Sequence, residues 1–366
     1  MTRAYISTDS AGPSQAQARV SMQADLAGVE LVSPVLTASG CAASGKELDS
    51  FFDITAIGGV ITKSIMLKPR SGRPTPRMAE TPSGMLNSIG LQGPGIESFI
   101  ERDLSWLNDR GATTIVSIAG ETADEYGRIA QKLRSVGGFA ALEVNISCPN
   151  VADRGQVFAC QADSAAAVIQ AVRRNSDGRV PIIAKLSPDV TSIVEITDSV
   201  VRAGATAVTL INTTLGMVIN TKTMRPALAG ITGGLSGPAI RPIAVRCVFQ
   251  VRQAFPQLPI IGTGGIRTGH DAFEMILAGA NAVSVGTAIF NDPSAPMRVH
   301  LELQEELAAR GFTRLVDAVG YAHREIVDEG DAEASLDSTP EPLVEESIKP
   351  LGEVDDQLAD WDFLKE

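Results

Sequence analysis

The chain has 366 residues, 44% of them apolar and 20% charged, a balance that suits a globular protein able to bury a core without covalent staples. Its four cysteines, at 41, 148, 160 and 247, show no CxxC and no regular spacing, which disfavours a disulfide framework and a zinc site and points to a reducing, cytoplasmic setting. The net charge of −12 comes without the basic face that a nucleic-acid partner needs, and no signal-peptide core or membrane-length apolar run is found, so neither nucleic acid nor membrane is expected as a partner.

Residues 1–25 read as a flexible N-terminal arm, and the folded body is expected over 26–325. Short runs rich in Val and Ile then recur: SPVLT (33–37), AIGGVIT (56–62), TTIVSIA (113–119), ALEVNIS (141–147), PIIAKL (181–186), TAVTLIN (206–212), LPIIGT (258–263) and NAVSVGT (281–287). Amphipathic stretches lie between most of them. Examples are ETADEYGRIAQKLRSVG (121–137) and TGHDAFEMILAG (268–279), the second opened by a Thr cap and closed by Gly. Near-continuous apolar strands alternating with helices predict a helix-covered parallel sheet. Eight such units predict an α/β fold of the (β/α)8 TIM-barrel type, a single domain with long loops at the C-terminal face of the strands. A doubly wound open sheet would carry a glycine fingerprint after the first strand and an acidic residue near the end of the second, and neither is present.

The acidity belongs to the end of the chain, residues 326–366. From Asp328 onward there are 14 acidic and two basic residues, against 29 of each sign before it. A segment of that composition buries too little apolar surface to offset its ordering entropy, and it is expected to be disordered or loosely docked.

The strands end on TASG (37–40), TKS (62–64), SIAG (117–120), NISCPN (145–150), KLSPD (185–189), INTT (211–214), GTGG (262–265) and VGT (285–287). In a barrel these ends converge on the face that hosts active sites. Burying lysines and amides there without partners costs about 1–3 kcal/mol each, so a ligand with many donors and acceptors is expected among them. Glycine-rich turns after the seventh and eighth strands form the usual phosphate site of the architecture, because their N–H groups point into open space. Lys63 and Lys185, at two strand ends, suit a group that gains negative charge, such as flavin N1 and O2 on reduction.

Seven stretches carry a resemblance: TASG…GKE (37–47), ITKSIMLKPRSGRPTPRMAETPSGMLNSIGLQGPG (61–95), EVNISCPNV (143–151), INTT (211–214), GGLSGPAIRPIA (233–244), IIGTGGI (260–266) and AVSVGTAIF (282–290). In order, over about residues 26–315, the chain resembles the FMN-binding catalytic subunit of dihydroorotate dehydrogenase, class 1, most closely the NAD-linked class 1B. The resemblance implies oxidation of (S)-dihydroorotate to orotate in pyrimidine biosynthesis. It implies FMN contacts at Ser39, Lys63, Ser64, Ser117, Asn145, Lys185, Ile211, Gly237, Gly264, Gly265, Gly286 and Thr287. Substrate contacts are implied at Lys63, Asn87, Ser88, Ile89, Gly90, Leu91, Asn145, Asn212 and Thr213, and no metal is implied.

Cys148, by itself, reads as a small core hydrophobe. The resemblance instead makes it the catalytic base, since the family's soluble classes carry Cys in the SCPN position. Oxidation removes a proton from C5 and a hydride from C6, so a base must face the substrate opposite the flavin. A free thiol ionises near ~8.5 and is only about 3% thiolate at pH 7, so activity is expected to rise on the alkaline side. Residues 151–162, VADRGQVFACQA, are expected to form a lid over the site.

This chain departs from the class pattern in three places. The lid has a single Gly155 followed by Phe158-Ala159-Cys160-Gln161, where relatives have paired glycines. Ser117 stands where relatives often carry Asn, and Cys41 interrupts TASGCAASG. Cys41 and Cys160 read as packing residues.

Reduced FMN needs an oxidant, and the chain has no four-cysteine cluster and no dinucleotide fingerprint. A separate electron-transfer subunit with FAD and an iron–sulfur cluster is therefore implied, handing electrons to NAD within a homodimer core or heterotetramer. Three other readings compete. One is the homodimeric, fumarate-linked class 1A enzyme, and another is a dihydropyrimidine dehydrogenase-like module, whose lid is not far from DRGQVFACQ. The third is a flavin-free scaffold or binding module. Lys63 and the MLNSIGL loop (85–91) suit a substrate carboxylate, which favours the orotate reading. Intact Lys63, Asn145, Cys148 and Lys185 argue against a scaffold.

Overall fold

A computed structural model of the chain describes residues 20–147 and 161–324. Eight parallel strands occur where the apolar runs predict them: β1 (Val35–Thr37), β2 (Val60–Ile61), β3 (Thr114–Ile118), β4 (Ala141–Asn145), β5 (Ile182–Leu186), β6 (Ala207–Leu210), β7 (Ile260–Thr263) and β8 (Ala282–Val285). Their order is β1-β8-β7-β6-β5-β4-β3-β2. A narrow seam joins the two ends of that order and makes the ring. Leu36 bridges Gly59, the Gly58 N–H donates to Val35 O at 2.7 Å, and the Thr37 N–H donates to Gly59 O at 3.2 Å. The seam requires glycine, because a Cβ on Gly58 would lie 2.1 Å from Ser33 O and one on Gly59 2.6 Å from Thr113 O.

The strands have two working faces because successive side chains alternate. Outward residues such as Val116, Leu142, Ile182 and Val208 are fully buried beneath the helices. Those helices form where the amphipathic stretches lie. Ala123–Val136 is capped by Thr122, whose hydroxyl accepts from the Glu125 N–H, and Gly269–Ala278 begins with a capping box between Thr268 and Asp271.

The inward faces pack in rings. Leu36, Ile61, Ile115, Ala141, Ile183, Ala207, Ile261 and Ala282, one from each strand, form an apolar cluster with Leu26 and Leu31. Those two leucines come from an antiparallel hairpin, Ala24–Leu26 with Val29–Leu31, which plugs the floor of the barrel. Order therefore begins earlier than the sequence reading had it. Residues 20–25 belong to the packed body: Val20 and Met22 are buried, and Ser21 bridges Arg314.

At the opposite end, loops after β2 and β6 supply a second sheet. Its four antiparallel strands run in the order Thr214–Gly216, Gly233–Ser236, Gly84–Asn87, Met78–Thr81. It stands beside the C-terminal ends of the barrel strands and brings Asn87 next to Gly234, to whose carbonyl the Asn87 amide donates at 3.4 Å. No helix among the described residues is long and apolar enough to cross a membrane.

Candidate active site

The site begins one step above the apolar ring. Two residues further along the inward faces stand Lys63, Ser117, Glu143, Lys185, Thr209, Thr263 and Ser284, a polar ring inside the barrel. Glu143 has no exposed surface. It accepts from Ser117 Oγ at 3.1 Å and from Thr209 Oγ1 at 3.1 Å, and the Lys185 ammonium lies 3.9 Å away. Lys185 also donates to Ser39 Oγ at 3.1 Å. A buried pair of this kind is kept by its supporting hydrogen bonds, and removing one partner of such a pair typically costs about 3–5 kcal/mol.

A further step up, Asn145 closes β4. Its amide donates to Ser64 Oγ at 2.9 Å, and Ser64 in turn bonds Ser117 at 3.0 Å. The Asn145 carbonyl accepts from Tyr126 Oη at 2.8 Å, which fastens the strand end to the following helix. From β6, Asn212 donates to Asn145 Oδ1 at 3.3 Å and to Ser147 Oγ at 2.7 Å. The Thr213 N–H donates to Asn212 Oδ1 at 2.8 Å, fixing the orientation of the Asn212 amide.

The other end of the site is built from backbone. Gly265, at φ +74°, turns so tightly that a Cβ there would lie 2.7 Å from Arg241 Cβ and 2.9 Å from Gly237 O. Gly264 and Gly237 also have positive φ, +131° and +97°. Beside them Thr287 Oγ1 donates to Ser236 Oγ at 2.8 Å. These turns stand after β6, β7 and β8, where the sequence motifs put the phosphate.

One cavity of about 1210 Å³ joins the two ends. Ser39, Lys63, Ser64, Asn145, Lys185, Ile211, Gly237, Gly264, Gly265, Gly286 and Thr287 line it, as do Asn87, Ile89, Gly90, Leu91, Asn212 and Thr213. Two sequence-predicted residues do not reach its wall. Ser117 lies in the ring beneath, between Ser64 and Glu143, and Ser88 is buried behind the loop, its N–H bonded to Arg77 O at 2.7 Å. Cys148, Cys160 and all of the lid but Gln161 and Ala162 lie outside the described residues.

Sequence reasoning missed Glu143, Thr209, Ser236 and Tyr126. Glu143 had a signal: a carboxylate in the middle of an apolar strand, two residues before Asn145 and so on the same inward face. Cys41 stands on the cavity wall with a free thiol. Burial pushes that thiol from an ordinary 9.0 up to about 11, against the weaker downward pull of Lys185 and Lys63.

A glycine cradle at one end, lysines and amides at the other, and a volume above the 300–1,000 Å³ typical of a single small ligand suit an elongated, phosphate-bearing ligand with a planar polar ring, plus a second small molecule against that ring. These features define a TIM-barrel enzyme that works with a phosphate-bearing cofactor. The family model for dihydroorotate dehydrogenase matches residues 21–307, and the chain belongs to that family of oxidoreductases.

Among relatives, the catalytic subunit of dihydroorotate dehydrogenase B (NAD(+)) from Desulforudis audaxviator is 50% identical over 299 residues, covering 82% of this chain and 96% of that protein. The corresponding subunit from Geotalea daltonii is 48% identical over 303 residues, covering 83% and 98%. The crystal structure of DHODH from Eimeria tenella, in complex with ferulenol, matches with a TM-score of 0.71 at 26% identity, over 83% of this chain and 89% of that one.

Proposed function

We propose that the chain is the FMN-binding catalytic subunit of an NAD-linked dihydroorotate dehydrogenase. It oxidises (S)-dihydroorotate to orotate in pyrimidine biosynthesis and works with a separate electron-transfer subunit carrying FAD and an iron–sulfur cluster. The names of the two relatives described above support the NAD linkage and the existence of a partner subunit. The reading puts the protein in the cytoplasm, from its irregular cysteine spacing.

The observation that carries it is the meeting, in one cavity, of Lys63 and the Asn145–Asn212 amide pair with the Gly264–Gly265 turn. FMN supplies the hydride acceptor. The glycine turns and Thr287 hold its phosphate, while Lys63 and Lys185 offset the negative charge that the ring gains. Lys63 and the loop Asn87–Leu91 receive the substrate carboxylate, and Asn145, Asn212 and Thr213 receive its ring amides. The Cys148 thiolate takes the proton from C5 as the hydride leaves C6.

The test is anaerobic mixing of the purified yellow protein with dihydroorotate, followed by addition of an acceptor. Bleaching of the flavin, no recovery with fumarate, and recovery with NAD only when the electron-transfer subunit is added are the expected results. Direct reoxidation by fumarate assigns the chain to the homodimeric class instead, and absence of any flavin from the protein refutes the reading altogether.

A further inference from the structure

Glu143 sits at the centre of β4 with no exposed surface. A carboxylate withdrawn from water is tolerated only where donors and an opposite charge compensate it. Three neighbouring strands supply them: Ser117 from β3 at 3.1 Å, Thr209 from β6 at 3.1 Å, and the Lys185 ammonium from β5 at 3.9 Å. Packing alone does not ask for this arrangement, since the ring directly below fills the same inward positions with apolar side chains.

The carboxylate faces away from the cavity, yet everything it holds reaches the cavity. Lys185 spans from Glu143 to Ser39 on the wall, 3.1 Å from the Ser39 hydroxyl. A second path runs through hydroxyls. Asn145 donates to Ser64 at 2.9 Å, Ser64 bonds Ser117 at 3.0 Å, and Ser117 donates to Glu143. This gives Ser117 a task at a position where the class pattern has Asn: it supports the carboxylate from beneath the wall.

We propose that Glu143 is a positioning residue that fixes the Lys185 ammonium at the cavity wall and, by offsetting that positive charge, sets the reduction potential of bound FMN. The proposal rests on the FMN reading above. A cation beside a ring that gains negative charge favours its reduced form, and a fixed anion behind the cation subtracts from that preference.

The experiment measures the ratio of reduced to oxidised FMN in the holoenzyme at a fixed ambient potential, against a reference dye, for wild type and for Glu143→Gln, each with Lys185 intact and with Lys185→Met. With Lys185 intact, Glu143→Gln raises the reduced fraction, changing the ratio by about tenfold or more, the scale of one unit charge removed from a partly screened interior. In the Lys185→Met background the same substitution changes the ratio little, because a carboxyl left without its cation takes up a proton. An unchanged ratio with Lys185 intact, or an equal shift in both backgrounds, overturns the proposal. If Glu143→Gln does not fold, Glu143→Asp withdraws the carboxylate by one methylene and moves the ratio in the same direction; no movement there is equally fatal. Bleaching of the wild-type flavin by dihydroorotate is scored separately, so a failure of the functional reading is told apart from a failure of this one.

Discussion

Asn212 donates from its side-chain amide to Asn145 Oδ1 at 3.3 Å, tying the end of β6 to the end of β4 across the barrel mouth. Because Asn212 also holds Ser147 and is itself oriented by the Thr213 N–H, it works as a clamp on the residues that lead into the masked thiol loop. Asn212→Ala is expected to leave FMN bound and to lower kcat/KM for dihydroorotate by about 100-fold, the penalty typical of a small misplacement of reacting groups. Steady-state kinetics with a flavin-to-protein ratio measured in parallel checks both halves of that statement.

Gly265→Ala tests the phosphate turn. The new methyl enters a backbone held at φ +74° and meets Arg241 Cβ at 2.7 Å, so it brings both a steric clash and a left-handed conformation that costs about 1–2 kcal/mol. The variant is expected to purify largely colourless while keeping its circular dichroism. Full flavin content would mean that the turn does not hold the phosphate.

Cys148→Ala tests the base. The protein is expected to stay yellow and to lose reduction by dihydroorotate, with stopped-flow absorbance as the measurement. Reduction at close to the wild-type rate removes Cys148 from its assigned role. The same change leaves chemical reduction by dithionite intact, which separates loss of proton abstraction from loss of the flavin site.

Cys41 is expected to be inert. Its thiol, pushed up to about 11 by burial, stays protonated and a poor nucleophile at pH 8. Burial also raises Cys247. Mass spectrometry after iodoacetamide treatment of the native protein at pH 8 should find neither site modified, whereas both react after denaturation. The linkage has a definite sign. Folding favours the neutral Cys41 thiol, so its contribution is fully present below the ordinary 9.0 and is lost as pH rises from there through about 11. Denaturant midpoints should therefore fall over that interval, and Cys41→Ala should flatten the fall.

The eight strands were legible because each is an apolar run bounded by breakers, and the helices because their apolar positions recur at helical spacing. β2 is the informative exception. AIGGVIT reads as a long strand but pairs regularly only over Val60–Ile61, because Gly58 and Gly59 are spent on the close approach at the seam. The second sheet was not legible: Met85 and Ser236 are 151 residues apart, and no local pattern announces such a pairing. The hairpin at the floor was hidden for a different reason, since two three-residue strands offer too short a window for any period to show. At the site, strand-end motifs found the cavity wall, but they are blind to a layer beneath it. Ser117 and Glu143 become visible only when inward alternation is followed through neighbouring strands together.

Leu26 and Leu31, wedged into the lower ring, make the barrel a vessel with a single mouth. Dihydroorotate arriving and orotate departing must use the same doorway, so the two cannot pass one another. A ping-pong order, with the product gone before the next molecule docks, follows from the stopper at the far end as much as from the chemistry at the near one.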